Sequence, residues 1–338
     1  MPEAAGDTEG DATAADGPHS ADVVVVGCGP AGSAAGVFCA RYGLDTVVFD
    51  RGTASLDRCA FLENYPGFPA GIDIGTFQGL LRDHAEAAGG RLVDDLVEAV
   101  EPVESDDSTE SADDSTTESA DDTARFVVET QDGRRVTADR VIAATRYDAE
   151  YLRPLGGDEM FETHEHDGET HEFLDPDYPD ADGRTPVEGL YVASPAGQRD
   201  VQAVVAAGRG AHAARCCIED RRAERGYPPE LAHHYDWVRP DSEFEGEWGD
   251  RERWREWFDE RVPDDHDADE AHLADLREQY IDDAFATHRS DDDVAAATER
   301  GHRRLVEHLD DDVVLERAAE IEAQRADAAD DGAPDATD

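Results

Sequence analysis

The stretch that decides the fold is residues 23–36, which read Val-Val-Val-Val-Gly-Cys-Gly-Pro-Ala-Gly-Ser-Ala-Ala-Gly. Four consecutive valines predict a short buried β-strand, and the Ala-rich sequence to about Tyr42 predicts a helix. Gly27, Gly29 and Gly32 have G-x-G-x-x-G spacing. Such glycines allow a tight turn, close approach of backbone to a pyrophosphate, and close packing of helix on strand. We therefore predict a dinucleotide site here.

The surroundings of the motif support this prediction. Asp50 ends the next buried strand, 23 residues beyond Gly27, where an acid would bind ribose hydroxyls; Arg51 follows it. The helix that starts at Pro30 and Ala31 would present its N–H groups and partial positive charge to the phosphates. The alternative is a glycine-rich turn that binds nothing. The motif alone does not distinguish FAD from NAD.

The rest of the chain alternates strands and helices, which is typical of a parallel α/β sheet. We predict a Rossmann-like, FAD/NAD(P)-binding three-layer fold with a β-hairpin or meander insertion, followed by an acidic α-helical C-terminal region. Further predicted elements are a helix at 76–88, a hairpin at 126–130 and 136–144, a strand at 189–193 and a helix at 201–218. The predicted divisions are a disordered tail at 1–20, a nucleotide domain at 21–220 with an acidic low-complexity loop at 104–124, a helical region at 221–322 and a disordered tail at 323–338.

Composition restricts the environment and the partners. The 338 residues include 83 acidic and 30 basic side chains, for a net charge of −53, and no Lys. Nucleic-acid and anionic-membrane binders use basic patches, so we expect neither partner. Molar salt would screen the repulsion between carboxylates. The charge and the absence of Lys indicate a salt-adapted, haloarchaeal protein. Five irregularly spaced Cys do not form a disulfide framework, so we expect a reducing cytoplasm.

Several segments together resemble the FAD domain of the low-molecular-weight thioredoxin reductases, within the FAD-dependent pyridine nucleotide-disulfide oxidoreductases. The matching segments follow the family order across about residues 22–220. They are Gly27 to Gly36, Glu63-Asn64-Tyr65-Pro66-Gly67-Phe68-Pro69, Val141 to Thr145, Tyr151-Leu152, Gly189 to Ala193, and Gln202 to Ala214. The resemblance favours FAD over NAD.

This resemblance implies roles for individual residues. It implies that Gly27, Gly29, Gly32 and Asp50 hold the ADP half of FAD. It also places Asn64 by the flavin and ribityl chain, and Gln202 with Ala203 at a helix N-terminus that points at the flavin pyrimidine. Thr145 matches the family's Ala-Thr-Gly strand end.

Four departures from the family pattern matter. Only about forty residues separate Thr145 from Gly189, too few for an NADPH domain, and the chain has no Cys-x-x-Cys. The family's Gly-Asp is replaced by Ser194-Pro195, for which Gln198, Arg199 or Asp200 could substitute. Arg146 stands where the family has Gly.

Some residues have two interpretations. Cys59, five residues before Asn64 and beside Arg58, is the only catalytic candidate; the alternative is a buried structural Cys. On a helix the adjacent Cys216 and Cys217 point in different directions, so one can be buried and the other exposed.

Two further groups are given non-catalytic interpretations. His164, His166 and His171 are interpreted as part of a flexible acidic surface loop; the alternative is a metal-binding loop, since His and carboxylates are good ligands, but we predict no metal site. The aromatic residues around Trp254 are interpreted as packing, with a cover over the flavin or a dimer contact as alternatives.

The leading hypothesis is an FAD-dependent oxidoreductase, thioredoxin reductase-like, without its own NADPH domain or redox dithiol. Free NAD(P)H, a protein electron donor or the substrate itself would reduce it, and a protein electron acceptor or a homodimer is also compatible with the sequence. The alternatives are a non-catalytic Rossmann-fold binding or assembly protein, and an NAD-binding dehydrogenase. The sequence does not identify the substrate.

Overall fold

The computed structural model describes residues 19–103, 124–146, 149–166, 169–193, 202–266 and 268–331. The predicted N-terminal tail to residue 18, nearly all of the acidic loop, and Ser194-Pro195 with Gln198, Arg199 and Asp200 lie outside these residues. None of the described helices is long and apolar enough to cross a membrane.

Strands and helices alternate over the first half of the chain, and the described part of the second half is mainly helical. The strands are β1 (His19–Val26), β2 (Thr46–Asp50), β3 (Arg91–Asp94), β4 (Val97–Pro102), β5 (Phe126–Thr130), β6 (Arg135–Ala143), β7 (Phe161–His166), β8 (Glu169–Leu174), β9 (Leu190–Val192), β10 (Arg239–Pro240) and β11 (His288–Arg289). The helices are α1 (Pro30–Arg41), α2 (Ile74–Ala87), α3 (Arg153–Gly156), α4 (Ala203–Glu224), α5 (Pro229–Ala232), α6 (Arg251–Asp259), α7 (Glu270–Ala286), α8 (Asp291–Val306) and α9 (Asp311–Asp331).

The main sheet has the order β3-β2-β1-β6-β5-β4, and β9 also pairs with β6. Strand β6 changes partner along its length: Arg135 to Ala138 pair antiparallel with β5, and Val141 to Ala143 pair parallel with β9. Strands β3, β2, β1, β6 and β9 are parallel, while β4, β5 and β6 form an antiparallel meander. The predicted α/β fold class with a meander insertion is confirmed.

The four valines of β1 divide the core into two layers because successive side chains on a strand point to opposite faces. Val23 and Val25 are fully buried against α1 and α4, and Val24 and Val26 pack with the meander. Each buried Val contributes about 1.5–3 kcal/mol. This explains why a run of four identical apolar residues forms the central strand.

Helices α1 and α4 lie together on one face of the sheet. A Cβ at Gly210 would be 1.8 Å from the backbone oxygen of Ala31, so only glycine permits this approach. Helix α4 continues to Glu224, past the predicted end at 218 and the predicted domain boundary at 220.

The C-terminal helices have a small aromatic core of their own and contact the first domain at several points. Trp254 and Phe258 are buried on α6, and Trp257 stacks on Tyr280 of α7, as expected of packing residues. Asp83 of α2 contacts Arg304 on α8 and His308 just after that helix. We expected a disordered tail from residue 323, but α9 continues to Asp331.

Candidate functional site

A cavity of about 610 Å³ lies at the carboxyl ends of β1, β2 and β6. Ligand clefts in proteins typically have 300–1,000 Å³, so the space suits a large cofactor. The cavity brings together ten of the twelve residues that the sequence identified: Gly27, Gly29, Pro30, Ala31, Asp50, Arg51, Cys59, Thr145, Gln202 and Ala203. Gly32 and Asn64 lie beside it.

The glycine loop has the geometry that its spacing predicts. Gly27 has φ +102°, which side chains other than glycine rarely adopt. A Cβ at Gly32 would be 1.7 Å from the oxygen of Gly27, so the close contact between helix and strand leaves no room for a side chain here. A Cβ at Gly29 would meet nothing within 4 Å, although Gly29 lines the cavity. Gly29 therefore leaves its backbone open to a ligand.

Helix α1 begins at the floor of this loop without a side-chain cap. Its N-cap is Gly29, which has no side chain to accept the first helical N–H groups, and Pro30 follows. Uncapped N–H groups and the helix dipole favour an anion at this end. The loop can therefore bind phosphate through backbone alone, without a basic side chain.

Asp50 ends β2 at the cavity, as predicted, but its carboxylate already has partners. One oxygen contacts Arg82, and the other accepts the N–H of Gly52 at 2.9 Å. Arg82 also bonds Asp94 on the neighbouring strand. Each carboxylate oxygen can accept more than one hydrogen bond, so ribose hydroxyls can still bind. Arg82 was missed because it comes from α2, 32 positions along the chain.

Two thiols line the cavity within the described residues. Cys28 is buried in the loop, and burial, together with the charge of Asp50, raises the pKa of its thiol to about 12. Cys28 is therefore a neutral packing residue near pH 7. Cys59 is exposed, so the interpretation as a buried structural Cys is wrong.

The opposite side of the cavity is formed by the N-terminus of α4. Gln202 is the N-cap residue, and its side-chain oxygen accepts a hydrogen bond from the amide of Asn64 at 2.7 Å. The two residues assigned to the flavin by resemblance are thus joined to each other across 138 positions. Ala203 follows, buried in the first turn of the helix.

Residues after β6 complete the wall. The hydroxyls of Thr145 and Tyr151 are 3.0 Å apart, and both residues line the cavity. Arg146 is exposed at the same edge. Sequence reasoning also missed Leu96, Glu98 and Glu150, because the meander and the turn after β6 bring them here from distant positions.

The positions of three other groups of residues differ from what the sequence suggested. Cys216 and Cys217 are both buried, since α4 packs on two sides. The segment with His164, His166 and His171 is not a flexible loop but the antiparallel hairpin β7–β8, in which the backbones of His164 and His171 are paired. The aromatic residues around Trp254 do not line the cavity, so the structure gives no support to the alternative that they cover it.

Residues 21–177 match the protein-family model for pyridine nucleotide-disulphide oxidoreductases. NADPH-dependent thioredoxin reductase 3 of Arabidopsis thaliana is 31% identical over 138 residues, which are 39% of this chain and 22% of that protein. Thioredoxin reductase of Aquifex aeolicus is 35% identical over 74 residues, 21% of this chain and 23% of that protein. The chain thus spans about a quarter of the length of the curated relatives it matches.

A solved thioredoxin reductase from Gloeobacter violaceus overlaps with a TM-score of 0.47 at 18% identity, covering 65% of this chain and 98% of that chain. A solved thioredoxin reductase from T. acidophilum overlaps with a TM-score of 0.42 at 18% identity, covering 60% of this chain and 99% of that chain.

Proposed function

We propose, from the match of residues 21–177 to the pyridine nucleotide-disulphide oxidoreductases, that the chain is an FAD-dependent oxidoreductase whose FAD lies in the cavity at β1 and α1. The observation that supports this best is Gly29. Its position would accept a Cβ without any clash, and yet a glycine stands there, beside two glycines that the fold itself requires. Close approach of a ligand to the backbone explains a glycine in open space.

The residues present fit the two ends of such a cofactor. The uncapped N-terminus of α1 would bind the pyrophosphate, and Asp50, held by Arg82, would accept hydrogen bonds from the ribose. The N-terminus of α4, with Gln202 fixed by Asn64, would face the flavin ring, where its partial positive charge favours added negative charge. Bound FAD would supply the electron transfer, while the chain binds and orients it.

The connection between β6 and β9 supports the proposal that the electrons come from outside the domain. The described residues there form short helical turns and the hairpin β7–β8 rather than a second nucleotide-binding unit. The proposed reductant is therefore free NAD(P)H, a partner protein or the substrate. The proposal places the protein in the cytoplasm, where its free thiols would stay reduced.

Cys59 is the proposed catalytic residue, because it is the exposed thiol of the two that line the cavity in the described part of the chain. The neutral Cys28 thiol would be a poor nucleophile. Cys59→Ser should keep the flavin content unchanged. Loss of turnover with normal flavin would support a catalytic role, and full turnover would leave Cys59 outside the chemistry.

The direct test is the visible spectrum of the protein purified in molar salt, followed by titration with FAD. We expect about one flavin per chain. Gly29→Ala should weaken FAD binding at least tenfold, about 1.4 kcal/mol, without lowering the melting temperature of the FAD-free protein. With FAD present, the melting temperature should fall, because weaker binding stabilises the folded state less. The matched control is Gly208→Ala on α4, also in open space but away from the cavity.

The alternatives predict different results in the same titration. A colourless protein that takes up no FAD would overturn the proposal. Binding of NADH without FAD would favour an NAD-binding dehydrogenase, and binding of neither would favour a non-catalytic assembly protein.

A further inference from the structure

Three side chains of different chemistry converge outside the nucleotide cavity, between α4 and the turn that precedes β9. They are Asp182, His212 and Cys216, and their ligand atoms all lie within 4.8 Å of one another. The Nε2 atom of His212 is 2.9 Å from Oδ1 of Asp182 and 3.8 Å from Sγ of Cys216. Ligands of a tetrahedral ion bound at 2.0–2.3 Å are separated by about 3 to 4 Å, so these separations suit one ion.

Regular structure holds two of the three residues. His212 and Cys216 are four positions apart on α4, which places them one turn apart on the same face of the helix. This spacing is the sequence signal that could have indicated the site. Cys216 is 4% exposed, whereas His212 is on the surface, so a ligand between them would have access from solvent.

The third residue lies in a rigid turn. Asp180 accepts the N–H groups of Asp182 and Arg184 at 2.9 Å each, and Gly183 has φ +86°. One oxygen of the Asp182 carboxylate faces His212, while the other accepts a hydrogen bond from Arg184 at 3.0 Å. Carboxylates that bind metal ions are typically oriented in this way, by a hydrogen bond to the oxygen that does not face the ion.

The charges around the cluster also favour a cation. Arg184 is paired with Asp220 through two nitrogens and lies 3.9 Å from Glu219. Three carboxylates therefore surround one guanidinium in this described region, and the local charge is negative before the thiol ionises.

We propose that Asp182, His212 and Cys216 bind one divalent transition-metal ion of the zinc class, with water as the fourth ligand. The set of one S, one N and one O donor suits a borderline ion such as zinc better than calcium or magnesium, which prefer oxygen alone. The thiol must lose its proton to solvent when the metal binds. Neither the protein nor the metal ion is oxidised or reduced in this step.

Because a thiol binds a metal ion only as the thiolate, binding at Cys216 should release one proton.

The position of the cluster indicates what the ion would do. Cys216 is thirteen residues from Ala203 along α4, or about 20 Å at the helical rise, and the cluster does not line the nucleotide cavity. The ion would fix the turn before β9 onto α4. Without a metal, the same residues form a His–Asp contact beside a neutral thiol.

The test uses the full chain in molar salt after treatment with a chelator. Titration with Co²⁺ should give a sulfur-to-cobalt charge-transfer band that saturates at one equivalent and is displaced by Zn²⁺. This band reports thiolate ligation, so adventitious binding to the many surface carboxylates does not produce it. Zn²⁺ should also raise the melting temperature.

Variants assign the band to the cluster. Cys216→Ser should abolish it, and His212→Gln, a surface change that leaves the fold intact, should weaken Co²⁺ binding at least tenfold. Cys59→Ser, which removes the exposed thiol elsewhere, should keep the band. Absence of the band in the unmodified protein, or its persistence in Cys216→Ser, would show that the cluster binds no metal.

Discussion

The contact between α1 and α4 allows one prediction with a matched control on the same helix. Gly210 and Gly208 are two positions apart on α4. A Cβ at Gly210 would be 1.8 Å from the oxygen of Ala31, whereas a Cβ at Gly208 would meet nothing within 4 Å. We therefore expect opposite effects when each glycine is changed to Ala.

The magnitudes follow from the geometry. Ordinary contact begins at 3.4 Å, so Gly210→Ala must move the helices apart by about 1.6 Å against a backbone carbonyl that cannot rotate away. Overpacking of this kind costs typically 1–3 kcal/mol and sometimes more, and we expect about 3 kcal/mol. Gly208→Ala should instead stabilise by up to about 1 kcal/mol, because alanine favours a helix.

Thermal unfolding in molar salt measures both effects. For a domain of about 200 residues, 3 kcal/mol corresponds to a melting temperature lower by about 6 to 12 °C. Gly208→Ala should raise the melting temperature by about 2 to 4 °C. Equal melting temperatures for the two variants would refute the packing argument. Since Ala31 lines the cavity in which we propose that FAD binds, Gly210→Ala should also reduce FAD uptake.

Two predictions concern buried charge. Burial, followed by the charge of Arg222, lowers the pKa of His234 to about 4 from an unfolded value of 6.5; this part of the stability is present above pH 6.5 and is lost as the pH falls through 4. As the pH falls from 6.5 to 4, the protein should therefore lose up to about 3 kcal/mol of unfolding free energy relative to His234→Gln, which lacks the titrating group. Arg140 is 1% exposed and pairs with Asp139, which also contacts two other arginines, so Arg140→Met should cost about 1–2 kcal/mol by urea unfolding. Asp139→Leu should lower the unfolding free energy more, by about 3 kcal/mol, since among the described carboxylates paired with Arg140 only the half-exposed Glu224 then remains. A larger loss for Arg140→Met than for Asp139→Leu would contradict this account.

The strand–turn–helix was predictable from Val23 to Arg41 because its causes are local, although β1 begins at His19, within the predicted disordered tail. Four valines, glycines at fixed spacing and an Ala-rich helix act within a few positions of one another, and the contact of Gly32 with Gly27 is a property of the turn itself. The same holds for Asp50, whose place at the end of β2 follows from the apolar run before it.

Elements whose stability comes from distant partners were predicted poorly. The hairpin β7–β8 consists mostly of polar and charged residues, and only its backbone pairing and the packing of Phe161 and Leu174 on the core show that it is a hairpin. The burial of both Cys216 and Cys217 depends on what lies on two sides of α4. The sequence pattern of the helix itself does not indicate which elements pack against it.

By itself, the sequence determined the fold class and the position of a dinucleotide loop, since backbone conformation and side-chain periodicity are local properties. Tertiary structure decided how the loop is completed: Arg82 holds Asp50 from α2, and Gln202 meets Asn64 across 138 positions. Away from the loop, it also brought Asp182 to His212. Each of these contacts joins elements that only the packed sheet brings within hydrogen-bond distance. The charge and shape of a site depend on all the residues that surround it. The order of residues along the chain does not show which distant residues these are.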